Sequence, residues 1–200
     1  MKSEFDDVLA IIPARAGSKR LPGKNKAIFE GIPLWLNTVN IAKGAGIKNI
    51  IVSTDDEEIL STKVEGVMML ERSKQNATDE AKTEDVIYEV INFTEAAGLK
   101  YKTICLLQPT SPLLQTSTLI HALHIFHDKN LVCLVAVNRM MKPAGAFYIF
   151  SYIEFLFNRT IWMQWLSVYV LNEKESIDID DIWDWRIANS ILENKVYGRV

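Results

Sequence analysis

Cysteine and proline are both scarce in this chain, with two of the first and six of the second in 200 residues. Two cysteines do not make a disulfide framework. Cys105 and Cys133 sit in the apolar runs "TICLLQ" and "LVCLVAV" and read as small buried hydrophobes in a reducing compartment. No Pro/Ser-rich linker, low-complexity tract or internal repeat divides the chain, so a single domain over residues 1–200 is expected. Eighteen apolar residues never run together, and the opening "MKSEFDDV" is no apolar leader. Both absences predict a soluble cytoplasmic protein with no membrane partner. Excess positive charge is missing too: 22 Lys and Arg face 25 Asp and Glu, a net charge of -3, which argues against a nucleic-acid partner.

What is present is a length and a 48% hydrophobic content sufficient for a buried core. Short β-branched runs, 8–13, 49–54, 67–70, 103–108 and 131–137, alternate with stretches of helical period. Uninterrupted apolar runs of that length fit strands buried on both faces. Between them, "PLWLNTVNIAKGAG" places Pro33 at a first helical position. "DDEEIL" gathers acids at a helix start, and "TEDVIYEVINFTEAA" repeats Val86, Ile87, Val90 and Ile91 on one side. The expected fold is α/β: a Rossmann-like three-layer α/β/α sandwich with a mainly parallel sheet. Late strands at 146–150 and 166–171 are expected to be antiparallel, and "DIWDWRIANSILEN" closes the chain as a helix. Ligands of such sheets collect beyond the carboxyl ends of the strands, which singles out the loops 14–26, 54–58, 109–115 and 138–145.

The first of these loops is strongly basic. Arg15, Lys19, Arg20, Lys24 and Lys26 fall within twelve residues that hold no acid. Glycines and cations after a buried strand suit phosphate oxygens, yet the loop is no P-loop. Gly17 and Gly23 enclose five residues rather than four, Lys24 precedes Asn25 instead of a hydroxyl, and Pro22 interrupts the turn. The dinucleotide pattern G-x-G-x-x-G is also absent. What remains is a different triphosphate clamp, with N–H groups around Ala16 to Ser18 and the charges of Arg15, Lys19 and Lys24 directed at a nucleoside triphosphate and its pyrophosphate.

Near the other end, "SIDID" alternates, so an extended chain turns Asp178 and Asp180 to one side and Ile177 and Ile179 to the other. Two hard oxygen ligands on one side suit Mg2+. A helix cap by Asp180 or Asp181 is the competing use, and both can hold together. His121, His124 and His127, three apart on a helix, drift around its axis and read as surface or packing residues rather than zinc ligands. No Ser-His-Asp set is indicated, so Ser18 and Ser111 read as phosphate or backbone partners. Trp162, Trp165, Trp183 and Trp185 read as core or subunit-contact residues.

Four ordered motifs, "IIPARAGSKRLPGKN", "IVSTDDEEI", "LLQPTSPL" and "SIDIDDIWDWRIAN", resemble the acylneuraminate cytidylyltransferases, the CMP-sialic acid synthetases and their legionaminic and pseudaminic acid relatives. The resemblance implies a nucleotide-diphospho-sugar transferase type of fold, a homodimer, CTP and a nine-carbon sugar acid as substrates, and Mg2+. It places Arg15, Ser18, Lys19, Lys24 and Asn25, with Ala14, Ala16 and Gly17 in the same motif, against CTP. Gln108, Thr110 and Ser111 fall near the sugar acid and nucleotide, and Arg72 near the cytosine. Asp178 and Asp180 correspond to the metal-binding acids. "KPAGAFYIF" resembles a segment bordering the sugar pocket, with Gly145 giving close backbone approach and Phe147 and Tyr148 offering ring faces. The motifs also depart from the family. Ala144 replaces a common asparagine, Leu114 an arginine, and the acceptor and dimerisation segment around 138–165 is shortened. A Kdo cytidylyltransferase, or a CTP- or CMP-binding module without acceptor chemistry, are the alternatives that these departures leave open.

Overall fold

The computed structural model describes residues 4–197, with side chains as far as residue 192. Its centre is a seven-stranded sheet. β1 (Val8–Pro13), β4 (Asn49–Thr54) and β6 (Thr103–Leu107) are buried apolar runs read from the sequence, whereas β5 (Val67–Glu71), expected to be buried on both faces, is a partly exposed edge strand. β7 is Cys133–Val137, β8 Pro143–Ser151 and β9 Leu166–Val170. A two-stranded antiparallel ribbon, β2 (Ile28–Phe29) and β3 (Ile32–Pro33), lies outside the sheet.

The spatial order is β5-β4-β1-β6-β8-β7-β9. β1 pairs in parallel with β4 on one side and β6 on the other. The chain therefore leaves β1 in both directions, and a crevice opens there beyond the strand ends. β8 is antiparallel to both of its neighbours, as expected, and is longer than the run 146–150. β9 departs from expectation because it pairs in parallel with β7. The chain leaves β8 through α5 (Tyr152–Asn158), a crossover that turns it back along β7. Pro33 is the residue before α1 (Leu34–Gly44), not its first residue; its extended ψ of 141° belongs to the ribbon.

Helices cover both faces. α1 and α4 (Thr116–Asp128) pack on one through Val39, Ala42, Leu119 and Leu123. α3 (Thr83–Ala96) and α5 pack on the other through Ile87, Val90, Ile91 and Phe155. α2 (Glu57–Ser61) starts at Asp56, whose carboxylate accepts from the amides of Glu58 and Ile59. A third apolar cluster, Phe29, Leu34, Leu113, Ile179 and Ala188, docks α6 (Ile182–Tyr197) over the end of the sheet. Among the described residues, no helix is long and apolar enough to cross a membrane.

The segment 138–143 is a tight hairpin between β7 and β8. Asn138 Oδ1 accepts from the amides of Met140 and Lys142, and the Asn138 amide donates to Lys142 O. Leu114 is buried in the first apolar cluster.

Both cysteines are core residues. Burial pushes the Cys105 thiol far up and the Cys133 thiol up to about 12, and Cys133 Sγ donates to Ile161 O. The native protein should therefore resist a disulfide-exchange reagent, and two thiols should react once it is denatured. A colorimetric thiol count before and after denaturant checks this.

Candidate active site

The crevice at the end of β1 holds a cavity of about 290 Å³. Pro13 and Arg15 bound it on the β1 side, Lys24 and Asn25 from the basic loop, and Gln108, Pro109 and Thr110 beyond β6. Asp178 and Asp180 close one wall, and Arg72, Asn76, Thr78, Asp79, Ala81, Thr83 and Val86 another. Loops 155 residues apart in sequence thus share one space.

What holds them together is the main chain of Ile179. Its amide donates to Thr110 O at 2.7 Å, and its carbonyl accepts from Lys24 Nζ at 2.8 Å. No ladder strand forms over 177–180, yet the alternation read from "IDID" persists. Ile177 and Ile179 go to the third apolar cluster, while Asp178 and Asp180 line the cavity. The helix cap falls to Asp181, whose Oδ1 accepts from the amides of Trp183 and Asp184. Asp184 Oδ2 answers by accepting from the amides of Asp180 and Asp181. That reciprocal cap leaves the Asp180 carboxylate to Arg20 Nη2 at 3.1 Å and Lys24 Nζ at 3.5 Å.

Asp178 is the unusual group. Its Oδ1 is buried with no hydrogen-bond partner. Burial raises its pKa; the Thr110 hydroxyl opposes this, Asp180 adds to it, and Lys24 opposes it more weakly. A buried carboxylate oxygen without a donor is costly unless something outside the chain satisfies it. Together with the second carboxylate on the same wall, it fits a hard divalent cation such as Mg2+, which takes one or two carboxylates and completes its shell with water and phosphate oxygens. No cluster of three or more His, Cys, Asp or Glu suited to a metal occurs among the described residues, so the acids would be a partial shell of that kind.

Gly145 explains how Asp178 reaches its position. It lies in β8 at φ +73°, where a β-carbon would stand 2.7 Å from Asp178 Oδ2 and 2.9 Å from Gln108 Oε1. The absence of a side chain lets both polar groups approach the strand. Register with β7 is also irregular there, between Val135 and Val137.

The remaining residues read from the sequence divide. Asn25 lines the cavity but spends its amide on Arg15 O at 2.8 Å, fixing the loop. Arg72 lines it as a buried cation, its guanidinium donating to Ser53 O and Ser53 Oγ; burial lowers its pKa and Asp55 partly restores it. The Ala16 amide, expected at a phosphate, donates to Asp55 Oδ1 at 2.7 Å. Ala14 is buried and tied to β4, its amide donating to Ser53 O and its carbonyl accepting from Thr54 Oγ1. Gly17, Ser18 and Lys19 are not among the lining residues. Ser111 is buried, its hydroxyl donating to Ala144 O at 3.2 Å, so it secures β8.

Phe147 corrects an expectation: it is fully buried in the first apolar cluster, edge-on to Tyr169, with no ring face for a ligand. Strand alternation puts Tyr148 on the opposite face, edge-on to Trp162. Burial, then the Asp178 and Glu84 charges, push its phenol up to about 12. The histidines take separate partners: His121 meets Tyr169 Oη, His124 Glu4, and His127 Thr103 Oγ1. Trp162, Trp165 and Trp183 are exposed, while Trp185 packs on Phe29. Asp55 and Asp79 also belong to the site, one holding the Ala16 amide and the other lining the cavity. Asp55 is signalled by its position in the loop after β4, whereas Asp79 lies in none of the loops at the strand ends that the sequence singles out.

Comparison with known proteins adds four findings. A family model described as cytidylyltransferase matches residues 9–147. The chain is similar to the CMP-N,N'-diacetyllegionaminic acid synthase of Legionella pneumophila, 31% identical over 93% of this chain and 96% of that one. It is similar to a pseudaminic acid cytidylyltransferase of Campylobacter jejuni, 29% identical over 92% of this chain and 96% of the other. Among solved structures, a cytidylyltransferase from Leptospira borgpetersenii superposes with a TM-score of 0.66 at 20% identity, covering 94% of this chain and 87% of that one; that likeness concerns the fold.

Proposed function

The chain belongs to the cytidylyltransferase family, and from that premise we propose that it transfers CMP from CTP to a nonulosonic, sialic-acid-like sugar acid, releasing pyrophosphate. The observation that carries the reading is the single cavity in which Arg15 and Lys24 stand with Asp178 and Asp180. Cations in a partly closed site favour a polyphosphate and the charge that its departure leaves behind. Relatives named for legionaminic and pseudaminic acids, matched along nearly their whole length, support the acceptor class.

In this reading the acceptor's anomeric hydroxyl attacks the α-phosphorus and gives up its proton to water, a new P–O bond forms, and the bond to the β-phosphate oxygen breaks with its electron pair going to pyrophosphate. Lys24, fixed by Ile179 O, and Arg15 meet the negative charge that accumulates on the leaving group. Lys19 lies just outside and adds its field. Asp178 and Asp180 would hold Mg2+, which supplies charge neutralisation and orientation of phosphate oxygens when bound. Arg72, buried against Ser53 at the cavity's far wall, presents a fixed planar donor set to the base. Gly145 admits Asp178 and Gln108 to the same space.

A homodimer belongs to the same proposal, supported by the exposed Trp165, Val168 and Val170 on and beside the outer strand β9. So does a cytoplasmic setting, where CTP is made; no nucleic-acid partner is part of it.

Incubating the protein with CTP, Mg2+ and a panel of sialic, legionaminic and pseudaminic acids and Kdo, and measuring pyrophosphate, tests the reading. Release with a nine-carbon acid is the expected result. Release with Kdo alone would move the acceptor assignment, and CTP binding without turnover on any acid would reduce the chain to a nucleotide-binding module.

A further inference from the structure

The segment 73–82 brings a carboxylate onto the basic loop. Asp79 Oδ1 lies 2.6 Å from Arg15 Nη1, and Asp79 Oδ2 lies 2.6 Å from Lys19 Nζ. The same Arg15 nitrogen donates to Thr78 O at 3.2 Å. One acid thus bridges two of the cations that the proposed reaction directs at phosphate. Lys19, then Arg15, hold the Asp79 carboxyl below its usual range, and the Lys19 ammonium is raised in turn by Asp79. The Asp79 side chain is 31% exposed and that of Lys19 79%, so these are surface ion pairs, individually weak and easily exchanged.

The base of the segment is held differently. Glu89 Oε1 accepts from the Ser73 amide at 2.9 Å, and Glu89 Oε2 accepts from Asn76 Nδ2 at 2.9 Å. The segment is moored to α3 through residues 73 and 76 and fastened to the basic loop at 78 and 79. Such an arrangement can free its tip without detaching its root.

From this geometry we infer that Asp79 is an internal anion which a polyphosphate must displace from Arg15 and Lys19, and that this exchange holds down the site's affinity for CTP and pyrophosphate. The inference rests on the nucleotidyltransferase reading above. A triphosphate or pyrophosphate brings several negative charges and many acceptor oxygens, enough to replace one carboxylate on both cations. An uncharged nucleoside has nothing to exchange for it. When pyrophosphate leaves, the carboxylate returns and spares the two cations an unpaired state. Asp79 acts on affinity through Arg15 and Lys19; it tempers polyphosphate binding and is not a catalytic residue.

Calorimetric titration of the parent protein, Asp79→Asn and Glu80→Gln tests this. Glu80 lends its charge to the field at Lys19 but forms no ion pair among the described residues. Asp79→Asn should bind CTP and inorganic pyrophosphate about fivefold more tightly, the worth of two exposed pairs, and cytidine unchanged. Glu80→Gln should match the parent within about twofold, since it changes only a screened field. Unaltered or weakened CTP binding by Asp79→Asn, or an equal gain in Glu80→Gln, would overturn the displacement while leaving the function reading intact. A parent protein that binds neither CTP nor pyrophosphate would sink both.

Discussion

Gly145→Ala should cut the rate of pyrophosphate release by about 10²-fold or more while the protein remains folded. The new β-carbon would sit 2.7 Å from Asp178 Oδ2, 2.9 Å from Gln108 Oε1 and 3.0 Å from Asp178 Cγ, closer than carbon and oxygen tolerate. Asp178 has little room to yield, because its neighbour Ile179 is bonded through both amide and carbonyl to other loops. The carboxylate must swing away, and a displacement near 1 Å at a reacting centre costs about two orders of magnitude in rate. Stability should fall less sharply. The φ of +73° adds about 1–2 kcal/mol of left-handed strain for alanine, which lowers the melting temperature by roughly 2–8 °C in a protein of this size. Steady-state kinetics with a thermal melt separates the two effects. Activity close to that of the parent, in a variant that melts normally, would mean that Asp178 does not need its observed position.

Lys24→Ala should lower kcat/KM by about 10²-fold or more, as loss of one positioned charge at a leaving group does in comparable sites. Its side chain is only 13% exposed, and its ammonium joins the basic loop to the acidic tail. The substitution therefore removes a cation from the cavity and a donor from Ile179 O at once. The orphaned carbonyl alone costs about 1–3 kcal/mol. Lys24→Arg separates the roles: it restores the charge and a donor, and should recover stability more fully than rate, because a planar fork does not place its charge where an ammonium stood. Measuring kcat/KM and CTP affinity for both variants checks this. A Lys24→Ala enzyme with near-normal turnover would remove Lys24 from the chemistry and leave it a structural tie.

Much of the frame was readable because its causes are local. A strand buried on both faces must be apolar throughout, and the bounds of β1 and β4 coincide with "VLAIIP" and "NIIVST". Direction is a different matter. Nothing within "LSVYVL" distinguishes pairing with β7 in parallel from antiparallel pairing, since that depends on the crossover through α5. Within the site, the alternation of "SIDID" showed which carboxylates share a side, because side-chain direction in extended chain has period two. The same alternation separates Phe147 from Tyr148, and only the sheet decides which one faces which helix layer. Least readable were the partners. The basic loop reads as five cations, yet Lys26 is spent on Asp56 and Glu58, Arg20 on Asp180, and Arg15 with Lys19 on Asp79. Ion pairs between residues some thirty or more positions apart leave no mark in local composition.

The docking of Ile179 has a consequence in time. All seven strands of the sheet end by Val170, whereas both acids on the cavity wall come later, in a stretch with no ladder of its own. During synthesis, a nascent chain can complete its sheet and its basic loop before either aspartate has left the ribosome. Competence to react would then arrive as a late, separate event, when the tail folds back and clips onto Thr110 and Lys24.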